Sequence, residues 1–193
     1  MILPNVSNIF SRAEMEAAII ENPNIINEFA IISMTDPEMK HVKGIKKGQD
    51  VLRLKFWDIE ENFCNLKTIS GTQAKEIAGF IVKNKSRIFI TQCEAGQSRS
   101  SSVAEAIECI LEHNGDIESF DSVVNPLRAN PRFDLNKKVR NTIVSVFDKK
   151  RDAHNWVKCP SCSLNSQKSK LVSWARATEG EGLCCPECFT DLP

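Results

Sequence analysis

The chain has 193 residues, 41% of them hydrophobic and 26% charged, which is enough for one well-formed core and a small appendage. Its 25 basic and 25 acidic residues cancel, so it lacks the overall basic surplus that grips nucleic acid or an anionic membrane surface. No apolar run approaches the roughly 20 residues of a membrane helix, and the first residues carry no signal-peptide pattern. The sequence therefore predicts a cytoplasmic, intracellular protein with no membrane partner.

Ser11-Arg12-Ala13-Glu14 has the pattern of a capping box, and Met15, Ala18 and Ile19 follow at helical spacing until Asn22-Pro23 stops the helix. Phe29-Ala30-Ile31-Ile32-Ser33 is a compact apolar run, predicted as a buried strand that Asp36-Pro37 ends. Residues 38–49 carry Lys40, Lys43, Lys46 and Lys47 with two glycines, and they read as an exposed basic loop. Val51 to Phe56 alternates as a strand does, delivering the chain to the acidic loop Trp57-Asp58-Ile59-Glu60-Glu61. Ser70-Gly71-Thr72-Gln73 is a second capping pattern, opening a helix with Ile77, Ala78 and Ile81 on one face.

Ile88-Phe89-Ile90-Thr91-Gln92 is a β-branched and aromatic run that ends at Cys93. A loop with one glycine follows, and from Ser100 a helix carries Val103, Ala106, Ile107, Ile110 and Leu111 as a core stripe, with Cys109 as packing. Two more helices are predicted, from Ser119 to Arg128 and from Leu135 to Phe147, with Asn130-Pro131 between them. Strands alternating with helices give an α/β fold: a central, mostly parallel sheet with helices on both faces, and the Cys93 loop at the carboxyl end of a strand.

Five residues separate Cys93 from Arg99, enough chain to curl into a ring whose backbone N–H groups point inward at an anion. A phosphate fits such a ring. Cys93 lies at its floor, where inward amides, the positive end of the next helix and Arg99 favour a thiolate, the form that attacks phosphorus. Arg99 offers a planar fork matching two phosphate oxygens. Gly96 permits a tight turn, and the Ser100 hydroxyl can hydrogen-bond the sulfur.

Cys93-Glu94-Ala95-Gly96-Gln97-Ser98-Arg99-Ser100 resembles the signature loop of the cysteine-based protein tyrosine and dual-specificity phosphatases, Cys-x5-Arg-Ser/Thr with an Ala-Gly pair. That family usually has histidine before the cysteine, where this chain has Gln92. The resemblance extends over residues 28–148, with looser likeness around Asn130-Pro131-Arg132-Phe133-Asp134-Leu135-Asn136. It implies a phosphatase catalytic domain over residues 1–150 that hydrolyses phosphotyrosine in a protein substrate, and phosphoserine or phosphothreonine as further substrates. It implies Cys93 as nucleophile, residues 94–99 as the phosphate loop, and no cofactor for catalysis. Leaving-group protonation needs a carboxyl group that afterwards activates water; in that family it is an aspartate upstream of the nucleophile, and Asp58 holds the position, with Glu60 and Glu61 as alternatives. Two competing functions stay open at this point. One is a phospho-binding module with little or no catalysis, which Gln92 favours; the other is an RNA 5′-phosphatase.

Lys149-Lys150-Arg151-Asp152 is a charged seam, after which the composition shifts to cysteine, serine and glycine. Five of the eight cysteines crowd into residues 151–193. Cys159-Pro160-Ser161-Cys162 and Cys185-Pro186-Glu187-Cys188 are paired knuckles separated by 22 residues, the thiolate set that tetrahedral structural zinc prefers. Cys184 is an alternative to Cys185, and a redox pair is an alternative to metal. This zinc ribbon is expected to serve a protein partner, since its five basic and five acidic residues argue against nucleic acid.

Overall fold

The most apolar run of the sequence becomes an inner strand of the sheet. The structure is a computed structural model that describes residues 8–45, 50–123, 125–158, 165–167, 172–176 and 180–184. The chain divides into two units, Met1–Phe147 and Asp148–Pro193. The first unit runs β1 (Ile9–Phe10), α1 (Arg12–Glu21), α2 (Ile25–Glu28), β2 (Ala30–Thr35), β3 (Val51–Lys55), α3 (Gly71–Lys83), β4 (Phe89–Gln92), α4 (Arg99–Glu112), α5 (Ile117–Asp121), α6 (Pro126–Ala129) and α7 (Lys137–Asn155), the last continuing past Phe147.

The sheet has four strands in the order β1-β4-β2-β3, and every pairing is parallel. β2 is buried at all positions, as a strand covered on both faces must be. Side-chain alternation then sorts the core. Ile31, Val51 and Ile90 face Met15, Ile25, Val42 and Ile45 on one side of the sheet. Ala30, Ile32, Met34, Leu54 and Phe89 face α3, α4 and α7 through Ile77, Ile81, Val103, Ile107 and Ile143 on the other.

Both capping boxes form, at Ser11 with Glu14 and at Ser70 with Gln73. Two expectations change, and one short strand is added that the sequence reading did not include. The basic stretch 38–45 is not wholly exposed: Val42 and Ile45 are buried against α1, two apolar anchors that the lysines around them mask in the sequence. The helix expected from Ser119 to Arg128 is two short helices, because Pro126 holds Asn125 in an extended conformation (φ −97°, ψ 119°) and so ends any helix before it. β1, two residues long, is too short to show a period; it pairs with β4 at Ile9–Thr91 and Phe10–Gln92.

In the second unit β5 (Trp156–Lys158) pairs antiparallel with β6 (Asn165–Gln167), and β7 (Val172–Arg176) pairs antiparallel with β8 (Gly180–Cys184). The expected zinc ligands Cys159, Cys162, Cys185 and Cys188 lie outside the described residues. Among the described residues no helix is long and apolar enough to cross a membrane.

Candidate active site

A parallel sheet brings all its strand carboxyl ends to one edge. Here that edge gathers Ser11 and Arg12 after β1, Asp36 after β2, Asp58 beyond β3 and Cys93 after β4. These positions are scattered over more than eighty residues of sequence, and the register of the strands makes them neighbours.

Cys93 is 1% exposed, and its Sγ lies 3.1 Å from Ser100 Oγ. Its backbone N–H donates to Phe10 O at 3.2 Å, so β1 anchors the start of the loop. Gln92, fully buried, accepts from Ser33 Oγ at 2.6 Å and donates from Nε2 to Cys93 O at 2.6 Å. The far end of the loop is pulled onto α4: Ser101 Oγ donates to the carbonyls of Gln97 and Ser98, and Ser102 Oγ to Ser98 O at 2.8 Å.

Gly96 has φ +67°, and a Cβ there would meet Ser11 N at 2.5 Å and Phe10 C at 2.9 Å. Both contacts are backbone and cannot swing away. Gly96→Ala combines that collision with the roughly 1–2 kcal/mol cost of a left-handed non-glycine residue. We expect a fall in the thermal midpoint together with weakened binding of inorganic phosphate; a variant matching wild type in both would show that the loop adjusts freely.

Arg99 opens α4 and is 3% exposed. Nη1 donates to Phe56 O at 2.7 Å, Nη2 pairs with Asp36 Oδ1 at 2.8 Å, and the guanidinium stands 5.8 Å from the Phe56 ring centroid. Nε lies 3.6 Å from Asp58 Oδ2, an ion-pair distance that makes no hydrogen bond; this buried donor has no hydrogen-bond partner among the described residues. A buried N–H without a hydrogen bond is costly and rare, and this one belongs to the residue that ends the loop opened by Cys93.

Asp58 Oδ1 accepts from Ser98 Oγ at 2.8 Å and from Asn136 Nδ2 at 2.9 Å. The carboxylate is thereby tied both to the Cys93–Arg99 loop, through Ser98, and to Asn136 before α7. Glu60, the alternative acid, accepts instead from the Lys137 backbone N–H at 3.2 Å, the first amide of α7. A cleft of about 440 Å³ opens beside Asp58, lined also by Glu60, Ser98, Asp134 and Asn136.

The structure thus draws Cys93, Arg99, Ser100, Ser98 and Asp58 together, with Gly96 at the loop's tight point and Ala95 and Gln97 exposed at its rim. Two members went unread in the sequence. Asp36 looked like a strand breaker, and Asn136 stood in a loosely matching segment; neither has a local motif, because each is defined by a partner far along the chain. Glu94 faces Arg12: Arg12 Nε donates to Oε2 at 2.6 Å and Nη2 to Oε1 at 2.7 Å. Those bonds hold the Glu94 carboxyl below the usual carboxylate range and raise Arg12 in turn.

No family model matches the chain. No curated protein matches it either. Among solved structures it is similar to PTPMT1 in complex with PI(5)P, at 14% identity over 72% of this chain and 86% of that one, with a TM-score of 0.45. It is similar also to a human DUSP28 variant, at 11% identity over 79% and 91% with a TM-score of 0.43. A second PTPMT1 structure gives 14% identity over 79% and 89% with a TM-score of 0.43. At such identities the function has to be argued from the site.

Proposed function

We propose that the protein is a cysteine-dependent phosphomonoesterase acting on phosphotyrosine in proteins, with phosphoserine and phosphothreonine as further substrates. The observation that supports this reading is the buried Arg99 Nε, which makes no hydrogen bond among the described residues, at the end of the loop whose Cys93 contacts Ser100. A tetrahedral dianion in the loop would give that Nε a hydrogen-bond acceptor, and Arg99 would follow its charge into the transition state. Cys93 Sγ attacks phosphorus as the P–O bond to the leaving group breaks, and Asp58 gives its proton to the departing oxygen. Water then attacks the phosphocysteine with Asp58 taking a proton. The S–P bond breaks, and the Ser100 hydroxyl stabilises the returning thiolate.

The test is turnover of an aryl phosphate in the presence of a chelator, with rapid denaturation and mass spectrometry to trap phosphate on the Cys93 peptide. Asp58→Asn is expected to lower kcat by about 10²-fold or more for phenyl phosphate, the usual worth of a general acid, and by much less for a nitrophenyl ester that needs no protonation. Equal losses on both esters would remove Asp58 from the acid role. Phosphopeptide binding with no turnover and no adduct would favour the binding-module reading, to which the neutral Gln92 on the Cys93 carbonyl lends support. Structural zinc on Cys159, Cys162, Cys185 and Cys188 belongs to the proposal on the strength of their spacing.

A further inference from the structure

A phosphate loop with a carboxylate immediately after its nucleophile is an electrostatic contradiction. Glu94 brings a negative charge close enough to Arg99 to interact with it, and a carboxylate near a bound dianion repels it, the more so where water is excluded. The other four residues between Cys93 and Arg99, Ala95, Gly96, Gln97 and Ser98, are all neutral. The fold answers with Arg12, the first residue of α1, which is separated from Glu94 by 82 positions.

Arg12 meets Glu94 in three ways. Its guanidinium forms the bidentate pair at 2.6 and 2.7 Å, and its own backbone N–H donates to Glu94 O at 3.1 Å. Nη2 also donates to Lys40 O at 2.6 Å, so the fork cannot turn away without losing a third partner. Glu94 and Arg12 are each about four-fifths buried, at 22% and 21% side-chain exposure, where solvent screens the pair poorly. One residue earlier, the Ser11 backbone is the surface on which Gly96 closes. The entry into α1 is therefore the bed of the loop, and Arg99 lies close enough to act on the Glu94 charge as well.

We propose that Arg12 acts through Glu94 as a charge-compensating residue for the phosphate loop, cancelling its carboxylate so that the ring presents no net repulsion to a dianion. This rests on the phosphatase reading of the Cys93 loop. It separates two roles with opposite genetic signatures. If the clamp merely braces the backbone, breaking it from either side does the same harm. If it cancels charge, Arg12→Ala leaves a bare carboxylate and harms anion binding, whereas Glu94→Gln removes the carboxylate, costs less, and rescues Arg12→Ala when combined with it.

The experiment measures inorganic phosphate binding by calorimetry, and the ratio of Cys93 alkylation by anionic iodoacetate to that by neutral iodoacetamide, in wild type, Arg12→Ala, Glu94→Gln and the double variant. Cys93→Ser protein corrects for the other thiols. Arg12→Ala is expected to weaken phosphate and depress the alkylation ratio by roughly tenfold, the effect of one unit charge at several ångströms. Glu94→Gln is expected to cost clearly less than Arg12→Ala in both readouts, and adding it to Arg12→Ala to recover most of the loss that Arg12→Ala alone causes. Equal losses in the two single variants, with no rescue in the double, would overturn charge compensation. Aryl phosphate turnover is followed in parallel: wild-type turnover without this pattern sinks the Arg12 proposal alone. A wild-type protein with neither turnover nor phosphate binding sinks the phosphatase reading and this proposal with it.

Discussion

Cys93→Ser is expected to abolish turnover of aryl phosphate, lowering kcat by roughly 10⁴-fold or more, while inorganic phosphate still binds. Loss of a nucleophile commonly costs this much, because the remaining groups stabilise a reaction that no longer has its attacking atom. A serine hydroxyl attacks only with a base to take its proton, and the group in contact with the sulfur, Ser100 Oγ at 3.1 Å, is itself a hydroxyl. Phosphate binding survives because it depends on the loop backbone and Arg99, whose partners Phe56 O and Asp36 do not involve the sulfur. The measurement is turnover in parallel with a phosphate titration. Retention of more than about a hundredth of the wild-type rate, after exclusion of contaminating phosphatase, would mean that Cys93 does not carry the reaction.

The largest effect on stability is expected at Glu105, far from any substrate. It is 1% exposed on α4, with Oε1 at 2.6 Å from Arg128 Nε and Oε2 at 3.2 Å from Arg140 Nη1. Asp121 joins the same two arginines, at 2.6 Å from Arg128 and 2.8 Å from Arg140. Breaking a buried pair from one side costs about 3–5 kcal/mol, chiefly through the charge left behind. Since Asp121 still serves both arginines, we place Glu105→Ala near the lower end, at about 3 kcal/mol, and Glu105→Gln below it because the amide keeps one acceptor. Chemical denaturation of the three proteins checks this, and a loss under about 1 kcal/mol for the alanine variant would show that the network reorganises around Asp121. The network ties α4, which begins at Arg99, to α5, α6 and α7, and Asn136 immediately precedes the last of these. A destabilised network should therefore loosen Asp58 as well, through its Asn136 bond.

What the sequence determined by itself is whatever short-range physics controls. The capping boxes at Ser11 and Ser70 each span three residues, and both form as read. The continuous apolar run of β2 announced a strand buried on both faces, and a parallel sheet with helices on either side followed from the alternation of elements. The strand, loop and helix around Cys93 were legible because the sulfur, the turn glycine and the guanidinium stand at fixed offsets within eight residues. Local reasoning failed where a neighbour countermanded composition: Pro126 split a helix that the polar–apolar pattern alone would continue, and Val42 and Ile45 found a core that four lysines concealed.

Only the tertiary structure decided which carboxylates stand beside Arg99. Asp36 and Asp58 reach it because β2 and β3 lie parallel to each other, with β2 also parallel to β4, and their carboxyl ends share one edge. Asn136 and Arg12 reach Asp58 and Glu94 across 78 and 82 positions of chain. No spacing rule encodes such contacts. They arise from strand register and helix packing, which depend on the burial of the whole core at once, and a side chain's partner across that core is a consequence of the fold rather than of the residues beside it.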